Sequence, residues 1–213
     1  NRRPKPPYIF VQELQRRFTV RDLGPQPEAI PEGMAMVAVI HPKDLPERTL
    51  YALDQYLMRG GKLWVAVDPY SVSDARNNPE AMMMGRMTMP GGSDLPKLLN
   101  AWGLSFSAEK VVADFDLAMR GPRQDGELES YPSVLDLREF PASGDVVMST
   151  LSHLNLIYAG SFTGQPAAGL EMTVLLASSR NSQLVASAMA EGTGQTMAGS
   201  RAPDDQVKPF MVR

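Results

Sequence analysis

The first candidates for binding or acid–base chemistry in this chain are a histidine and an aspartate, each of which follows an apolar run. His41 comes directly after the apolar run 34–40, and Asp68 follows a second run at 63–67. Open parallel sheets bind ligands outside the carboxyl ends of their strands, so adjacent strands would place both side chains in one cleft. A His–Asp pair there could orient a general base. The alternative is that His41-Pro42 and Asp68-Pro69 form turns whose side chains bond to local backbone.

Asp114 is the third candidate for this binding edge. It lies near the end of the stretch 110–115, which has the pattern of a strand. Asp114 and Asp116 stand on either side of Phe115, so their carboxylates would point to opposite faces of a continuing strand. That spacing is poor for a shared metal ion. We therefore predict that His41, Asp68 and Asp114 contribute to binding and not to a metal centre.

The motifs of hydrolases and nucleotide-binding enzymes are missing from the sequence. The chain has no cysteine, which excludes disulfides, thiolate nucleophiles and cysteine-based metal sites. Ser161 stands one place too early for the G-x-S-x-G nucleophile turn. No phosphate-binding G-x-x-x-x-G-K loop occurs, and Met197 takes the place of the third glycine of a dinucleotide motif. We therefore predict no enzymatic activity, no metal and no cofactor.

Methionines are concentrated in one short segment that has no usable period. Thioethers suit Cu(I), but no histidine or cysteine supports a copper site there. Methionine also repacks easily and forms pliant apolar surfaces. We predict that residues 70–92 are a flexible insertion or lid, with a loop of no specific role as the alternative. The predicted partner surface consists of Met82, Met83, Met84, Met87 and Met89.

Charge is distributed unevenly along the chain. The net charge is −3, while the first 21 residues carry six basic side chains against one acidic side chain. A chain this close to neutral lacks the broad basic face of nucleic-acid-binding proteins, so nucleic acid is not an expected partner. The N-terminal charge predicts a surface that is solvated or that faces lipid headgroups.

The elements that position His41 and Asp68 form the clearest pattern in the chain. The two apolar runs suit strands that are covered on both faces, as in a parallel sheet. Between them, Asp44 and Glu47 fit a capping box, and Gly60-Gly61 fits a left-handed helix stop. One apolar stripe at helical spacing is formed by Leu50, Leu53 and Leu57. This order predicts a βαβ unit with a right-handed crossover.

The rest of the chain extends this unit into a larger predicted fold. Helices are expected at 6–18, 94–102 and 145–151, and strands at 110–115, 134–137, 154–159 and 172–176. We predict an α/β fold with a mostly parallel sheet, flanking helices and added strands in the C-terminal half. A single domain would span residues 1–189, followed by a loosely packed tail at 190–213, which is rich in Gly, Ser and Thr.

Six segments in one order resemble a known family. From about Pro6 to Val185, the chain resembles the auxiliary, substrate-binding-like component of an uncharacterised ABC transport system associated with gliding motility. The segments that carry the resemblance are Pro6–Leu23, Leu50–Pro69, Asp94–Asp114, Tyr131–Leu137, Leu151–Phe162 and Met172–Val185.

This resemblance implies a place in a membrane complex. Members of the family carry an extracytoplasmic domain between membrane segments and work beside an ABC-2 type permease and an ATPase. The longest apolar run here has seven residues, whereas a membrane helix needs about 20. Because the chain also begins at Asn1, we expect it to be an excised periplasmic or extracytoplasmic part of a longer, membrane-anchored protein.

The resemblance also implies a fold and a role. The N-terminal half of the family is similar to flavodoxin-like and class I glutamine amidotransferase-like domains. The amidotransferase nucleophile is a cysteine, which this chain lacks, so that activity does not carry over. We expect a non-catalytic binding or interaction domain of an ABC transporter complex, which would recognise a partner protein, a glycan or another, unknown exported ligand. The alternatives are a hydrolase or amidotransferase-like enzyme that uses His41 and Asp68, and a purely structural subunit of the permease complex.

Overall fold

A computed structural model describes residues 8–73, 91–122, 126–138, 140, 145–198 and 203–213. The chain divides into two compact units. The first comprises Asn1–Met36 and Leu45–Lys62, and the second comprises Val37–Asp44 and Leu63–Arg213. Neither unit contains, in its described residues, a helix that is long and apolar enough to cross a membrane.

The first unit contains two helices, α1 (Ile9–Gln15) and α2 (Glu47–Met58). The prediction of a helix after the first apolar run is confirmed, but its predicted capping box is wrong. Pro46 is the N-cap residue and no side chain caps the helix. Asp44 instead has a left-handed backbone with φ of 46°.

The predicted glycine stop at the C-terminal end of α2 is confirmed, and two backbone hydrogen bonds close this helix end. Gly60 has φ of 84°, and its N–H donates to Leu57 O while Gly61 N–H donates to Tyr56 O. These two bonds satisfy carbonyls that the helix end leaves open. Gly61 is also required by packing, because a Cβ there would overlap the ring of Tyr56. The Tyr56 hydroxyl then donates to Met34 O at 3.1 Å.

The second unit begins with the predicted parallel strand pair. Strands β1 (Val37–Ile40) and β2 (Leu63–Ala66) pair in parallel, with Val37 opposite Leu63 and Ile40 opposite Ala66. The predicted order of strand, helix and parallel strand is therefore confirmed for this part of the chain.

The remaining described strands of the second unit form small antiparallel sheets. Strand β3 (Leu104–Phe106) pairs with β8 (Phe162–Gly164), β4 (Lys110–Asp114) with β10 (Ser182–Ala186), and β9 (Val174–Ala177) with β11 (Pro209–Val212). A three-stranded sheet consists of β5 (Ala118–Pro122), β6 (Leu128–Leu137) and β7 (Leu154–Ile157). Short helices are α3 (Pro96–Ala101), α4 (Val146–Ser149) and α5 (Gly194–Ala198), with a 3₁₀ turn at Ser187–Met189.

The prediction of a mostly parallel, flavodoxin-like or amidotransferase-like α/β fold is wrong. Among the described strands, β1 and β2 form the one parallel pair, and the other pairs are antiparallel. Parallel neighbours need a long crossover, usually a helix. The 12-residue helix α2 lies between β1 and β2 in the chain, whereas the described helices after β2 have 4 to 6 residues. Helices this short do not span the length of a sheet.

Two apolar clusters lie among the described residues of the second unit. One joins β4, β10 and α5, and the other joins β6, α4 and β9. Residues after 189 contribute to both clusters, because Met197 is fully buried in the first and Phe210 and Met211 pack against the second. The first cluster consists of Val111, Ala113, Val185, Ala190 and Met197, and the second of Leu135, Leu137, Met148, Leu175 and Leu176.

Candidate functional site

The carboxyl ends of β1 and β2 place His41 and Asp68 at one edge, which we call the β1–β2 edge. His41 directly follows β1, and its N–H donates to Ala66 O at 2.8 Å. Asp68 stands two residues beyond Ala66. His41 has φ of 51°, a left-handed backbone that is uncommon for a residue with a side chain. This turn changes the direction of the chain directly after the strand.

Asp68 holds the turn that leaves β2. Its carboxylate accepts the N–H of Tyr70 at 2.9 Å, a local bond of the kind that aspartate forms in turns. Its backbone is fixed by Ser93, whose hydroxyl accepts Asp68 N–H at 2.9 Å and whose own N–H donates to Asp68 O at 2.7 Å. Ser93 is 2% exposed, so its hydroxyl serves the backbone and is not presented as a nucleophile.

An aromatic pair continues from this edge. The rings of Tyr70 and Tyr158 meet edge to face with centroids 4.8 Å apart. The Tyr70 hydroxyl donates to Glu191 Oε1 at 2.7 Å. Burial, followed by the bond to Glu191, raises the pKa of Tyr70 to about 12. Burial and the same carboxylate also raise the pKa of Tyr158. Both phenols therefore stay protonated to a higher pH than an ordinary tyrosine does.

Asp114 lies at the end of β4 in a different set of contacts. It is fully buried, and its Oδ1 accepts the N–H groups of Asp116 and Leu117, both at 3.0 Å. Ser179 donates twice, from its N–H to Oδ2 at 2.6 Å and from its hydroxyl to Oδ1 at 2.8 Å. Four donors fix this carboxylate between the turn after β4 and the turn after β9. The arrangement supports a structural role.

A buried lysine extends this network to the last strand. Lys208 is 5% exposed, and its Nζ donates to Asp204 Oδ1 at 2.6 Å, Gln206 O at 2.8 Å and Ser182 O at 3.1 Å. Its backbone N–H donates to the hydroxyl of Ser178 at 2.8 Å. We call Asp114, Ser178, Ser179, Ser182 and Lys208 the buried network. No spacing in the sequence predicts it, because its members come from three separate segments.

A serine beside a lysine is also the pair that some hydrolases use as nucleophile and base. Here Lys208 Nζ lies 3.3 Å from the hydroxyl of Ser182. However, Ser182 is fully buried, and its hydroxyl donates to Ser179 O at 2.7 Å. The Lys208 ammonium group that pairs with Asp204 has no lone pair with which to accept a proton. This geometry fastens the C-terminal segment to β10 and does not resemble an open catalytic site.

The second histidine forms the clearest His–carboxylate pair. Asp136 on β6 lies 2.7 Å from Nε2 of His153 and accepts from Arg138 Nε at 3.0 Å. The hydrogen bond from Arg138, assisted by His153, lowers the pKa of Asp136. Half of the His153 side chain is exposed. No serine or threonine hydroxyl is bonded to His153 in the described part of the chain, so this is an exposed ion cluster.

An exposed apolar face lies on the β1–β2 pair itself. Alternation along the strands puts Ala38, Ile40, Trp64 and Ala66 on one side of the pair. Ile40 and Trp64 are each 44% exposed, whereas Val37 on the other side is 7% exposed. We call these four residues the apolar face. The sequence predicts strands that are covered on both sides, and the exposure of Trp64 is visible only in the structure.

The remaining predicted features do not add a chemical centre. The five methionines predicted as a partner surface lie outside the described residues. The described residues hold no group of three or more His, Cys, Asp or Glu side chains arranged for a metal ion. An open cleft between the start of β6 and α5 is lined by Glu127, Leu128, Glu129, Ser130, Gly194 and Gln195, and His41 and Asp68 are not among these residues.

Comparison with known proteins places the chain in a family. A search of curated proteins returns no match, and a search of solved structures returns none either. One family profile, described as an ABC-type uncharacterized transport system, matches residues 1–211. That match spans nearly the whole chain. The chain therefore belongs to this family and is an auxiliary component of an ABC transport system.

Proposed function

We propose that the chain is a non-catalytic interaction domain that binds the permease of an ABC transport complex through the apolar face. The single observation that carries this proposal is the exposure of Ile40 and Trp64 on a strand pair whose other side is more buried. Family membership supports the transport complex as the setting.

The composition of the apolar face favours a protein partner. Its four residues carry no charge, so nothing on it would hold a phosphate backbone or a polar headgroup. Tryptophan is among the residues that contribute most energy to protein interfaces, because its large ring buries much apolar area with little loss of conformational freedom. A complementary apolar patch on the permease fits this surface, and the ATPase would join the complex through the permease.

The polar residues near this face support a role without catalysis. The carboxylate of Asp68 bonds to the backbone of its own turn, and Ser93 is buried against the same turn. The Tyr70 hydroxyl donates to Glu191 Oε1. A general base and an exposed nucleophile, which a hydrolase needs, are not both present in these contacts. The hydrolase alternative therefore lacks an observation in its favour.

Location outside the cytoplasmic membrane and a link to gliding motility rest on the family resemblance. We propose that the domain faces the extracytoplasmic side and is anchored through segments beyond this chain. Labelling of intact cells with a membrane-impermeant amine reagent should modify its surface lysines. Protection equal to that of a cytoplasmic control protein would contradict this location.

The interaction proposal is tested by co-purification with the permease and ATPase expressed from the same cells. Trp64→Ser should weaken capture of the permease by about 25-fold or more, since interface tryptophans commonly cost about 2 kcal/mol or more when removed. The matched control is Leu128→Ser, because Leu128 is 72% exposed on β6. It should leave capture unchanged.

Two results would overturn the proposal. If Trp64→Ser folds with the melting temperature of the parent and captures the permease equally well, the apolar face is not the interface. If the purified chain turns over ester or amide substrates and His41→Ala abolishes that turnover, the non-catalytic assignment is wrong.

A further inference from the structure

The N-terminal segment of the first unit presents apolar side chains to solvent, which folding normally avoids. Helix α1 contains no buried residue. Ile9 is 78% exposed, Phe18 64% and Phe10 42%. Tyr8 is 67% exposed, and its ring stacks on that of Phe10 with centroids 5.9 Å apart. A concentration of large exposed aromatic side chains is typical of an interaction surface.

Helical spacing places three apolar side chains of this segment on one side. Phe10, Leu14 and Phe18 stand four residues apart, so they share a face of a helix. The turn after α1 keeps this geometry, since Phe18 N–H donates to Leu14 O at 2.8 Å. The segment is thus amphipathic, although α1 itself has only seven residues.

Basic side chains border the same surface. Arg17 and Arg21 are exposed, and Arg16 pairs with Glu13 at 2.8 Å, which offsets that acidic charge. The whole chain carries −3, although its first 21 residues carry six basic side chains and one acidic side chain. The rest of the chain is therefore acidic, and an anionic partner would be attracted to this end and repelled by the remainder.

We infer that residues 8–21 dock onto the headgroup region of an anionic phospholipid bilayer. Aromatic rings favour the interface between acyl chains and headgroups, and arginine lies along an apolar surface while its guanidinium reaches phosphate. A short apolar face with bordering arginines matches the composition of helices that lie in this plane. This inference goes beyond the proposed permease contact, because it concerns a different surface and a lipid partner.

The test uses the complete 213-residue chain and sedimentation with lipid vesicles, without permease or ATPase. Vesicles rich in phosphatidylglycerol should bind the chain, and pure phosphatidylcholine vesicles should bind it much less. Arg17→Glu with Arg21→Glu should lower the partition coefficient by at least about 25-fold, since each basic residue near an anionic surface contributes roughly 1 kcal/mol. Added salt should weaken the binding of the parent in the same direction.

A second variant tests the apolar part of the surface. Phe10→Ser with Phe18→Ser should reduce binding to the same vesicles without lowering the melting temperature, because both rings are exposed. The matched control is Leu128→Ser with Val146→Ser, since these side chains are 72% and 79% exposed elsewhere in the chain. This control should bind vesicles as the parent does.

Three results of the vesicle assay would overturn the inference. They are equal binding to both kinds of vesicle, binding to neither, and parental binding by both N-terminal variants. Self-association in the absence of lipid that Phe10→Ser with Phe18→Ser abolishes would assign the surface to a second copy instead. Because the assay contains no other subunit, its failure leaves the permease proposal standing, and loss of permease capture leaves this inference standing.

Discussion

The buried network and the β1–β2 pair use their side chains in opposite ways. In the buried network, a carboxylate and an ammonium group lie inside the second unit and bond to backbone and hydroxyl groups around them. At the β1–β2 pair, the carboxylate of Asp68 bonds to its own turn while Ile40 and Trp64 remain open to solvent. Polar groups are thus buried in one region and apolar groups are exposed in the other.

The two regions therefore differ in what their side chains contribute: the buried network contributes to folding stability, and the apolar face is available for interaction. A buried carboxylate is costly unless its oxygens accept hydrogen bonds, so the four donors on Asp114 are a requirement of folding. An exposed tryptophan contributes little to folding and keeps its apolar area available to a partner. Substitutions in the buried network should therefore change stability, and those on the apolar face should change binding.

The strongest test of this contrast is Asp114→Ala. Removing a fully buried acceptor leaves the N–H groups of Asp116, Leu117 and Ser179 without it, so the free energy of unfolding should fall by about 3–5 kcal/mol. Asp116→Ala is the control, because the Asp116 carboxylate is exposed. This substitution should change the free energy of unfolding by less than about 1 kcal/mol. Urea unfolding followed by circular dichroism measures both. Equal losses for the two variants would remove the distinction between the regions.

A smaller loss is expected when Lys208 is replaced. Lys208→Met keeps the apolar stem but removes the donor that Nζ provides to Asp204 and to the carbonyl of Ser182. These two acceptors keep their longer bonds from the N–H groups of Gln206 and Asp204. Because the Asp204 side chain is 34% exposed and regains water, we expect a loss of about 2 kcal/mol, below that of Asp114→Ala. Lys110→Met, at an exposed position on β4, is the control. A more stable Lys208→Met protein would show that desolvation of the ammonium outweighs its hydrogen bonds.

The smallest effect concerns the titration of Tyr70. Its pKa in the folded protein is about 12, above its ordinary value of 10.0, so folding is favoured while the phenol is protonated. This contribution is complete below pH 10 and is lost as the pH rises towards 12. Glu191→Gln should lower the pKa of Tyr70 only partly, because burial is the larger cause.

Phenolate absorbance during an alkaline titration measures this shift. The signal of Tyr70 is obtained as the difference from Tyr70→Phe, since the chain has six tyrosines. Glu109→Gln is the control on an exposed carboxylate of another segment. If Glu191→Gln left the titration unchanged, the bond between Tyr70 and Glu191 would not persist in solution.

Local sequence patterns predicted the strand, helix and strand around α2, but they did not predict the sheet pairing of the later strands. The apolar runs on either side, the helix between them and the left-handed Gly60 follow from short-range rules on spacing and backbone freedom. The capping box failed because Pro46 took the N-cap place and Asp44 a left-handed turn. Among the later strands, β4, β6, β7 and β9 overlap a predicted strand. Their direction was predicted wrongly, since short strands carry no signal for their neighbour or direction.

The candidate sites show the same division. The apolar runs before them predicted that His41 and Asp68 stand where a parallel pair ends, and the structure has this pair. Their role in binding stays a prediction. The contacts of Asp114 with Ser179, and those of Lys208 with Ser182, join residues 26 to 65 positions apart. No periodicity connects such positions, so the network could not be predicted from spacing.

By itself, the sequence determined the βαβ segment, the absence of cysteine chemistry and the basic N-terminal end, because composition and short-range spacing are readable along the chain. The tertiary structure decided that the later strands pair antiparallel, that Lys208 is buried and that Trp64 is exposed. Burial and pairing depend on which distant segments come together, and those long-range contacts are selected by packing of the whole chain.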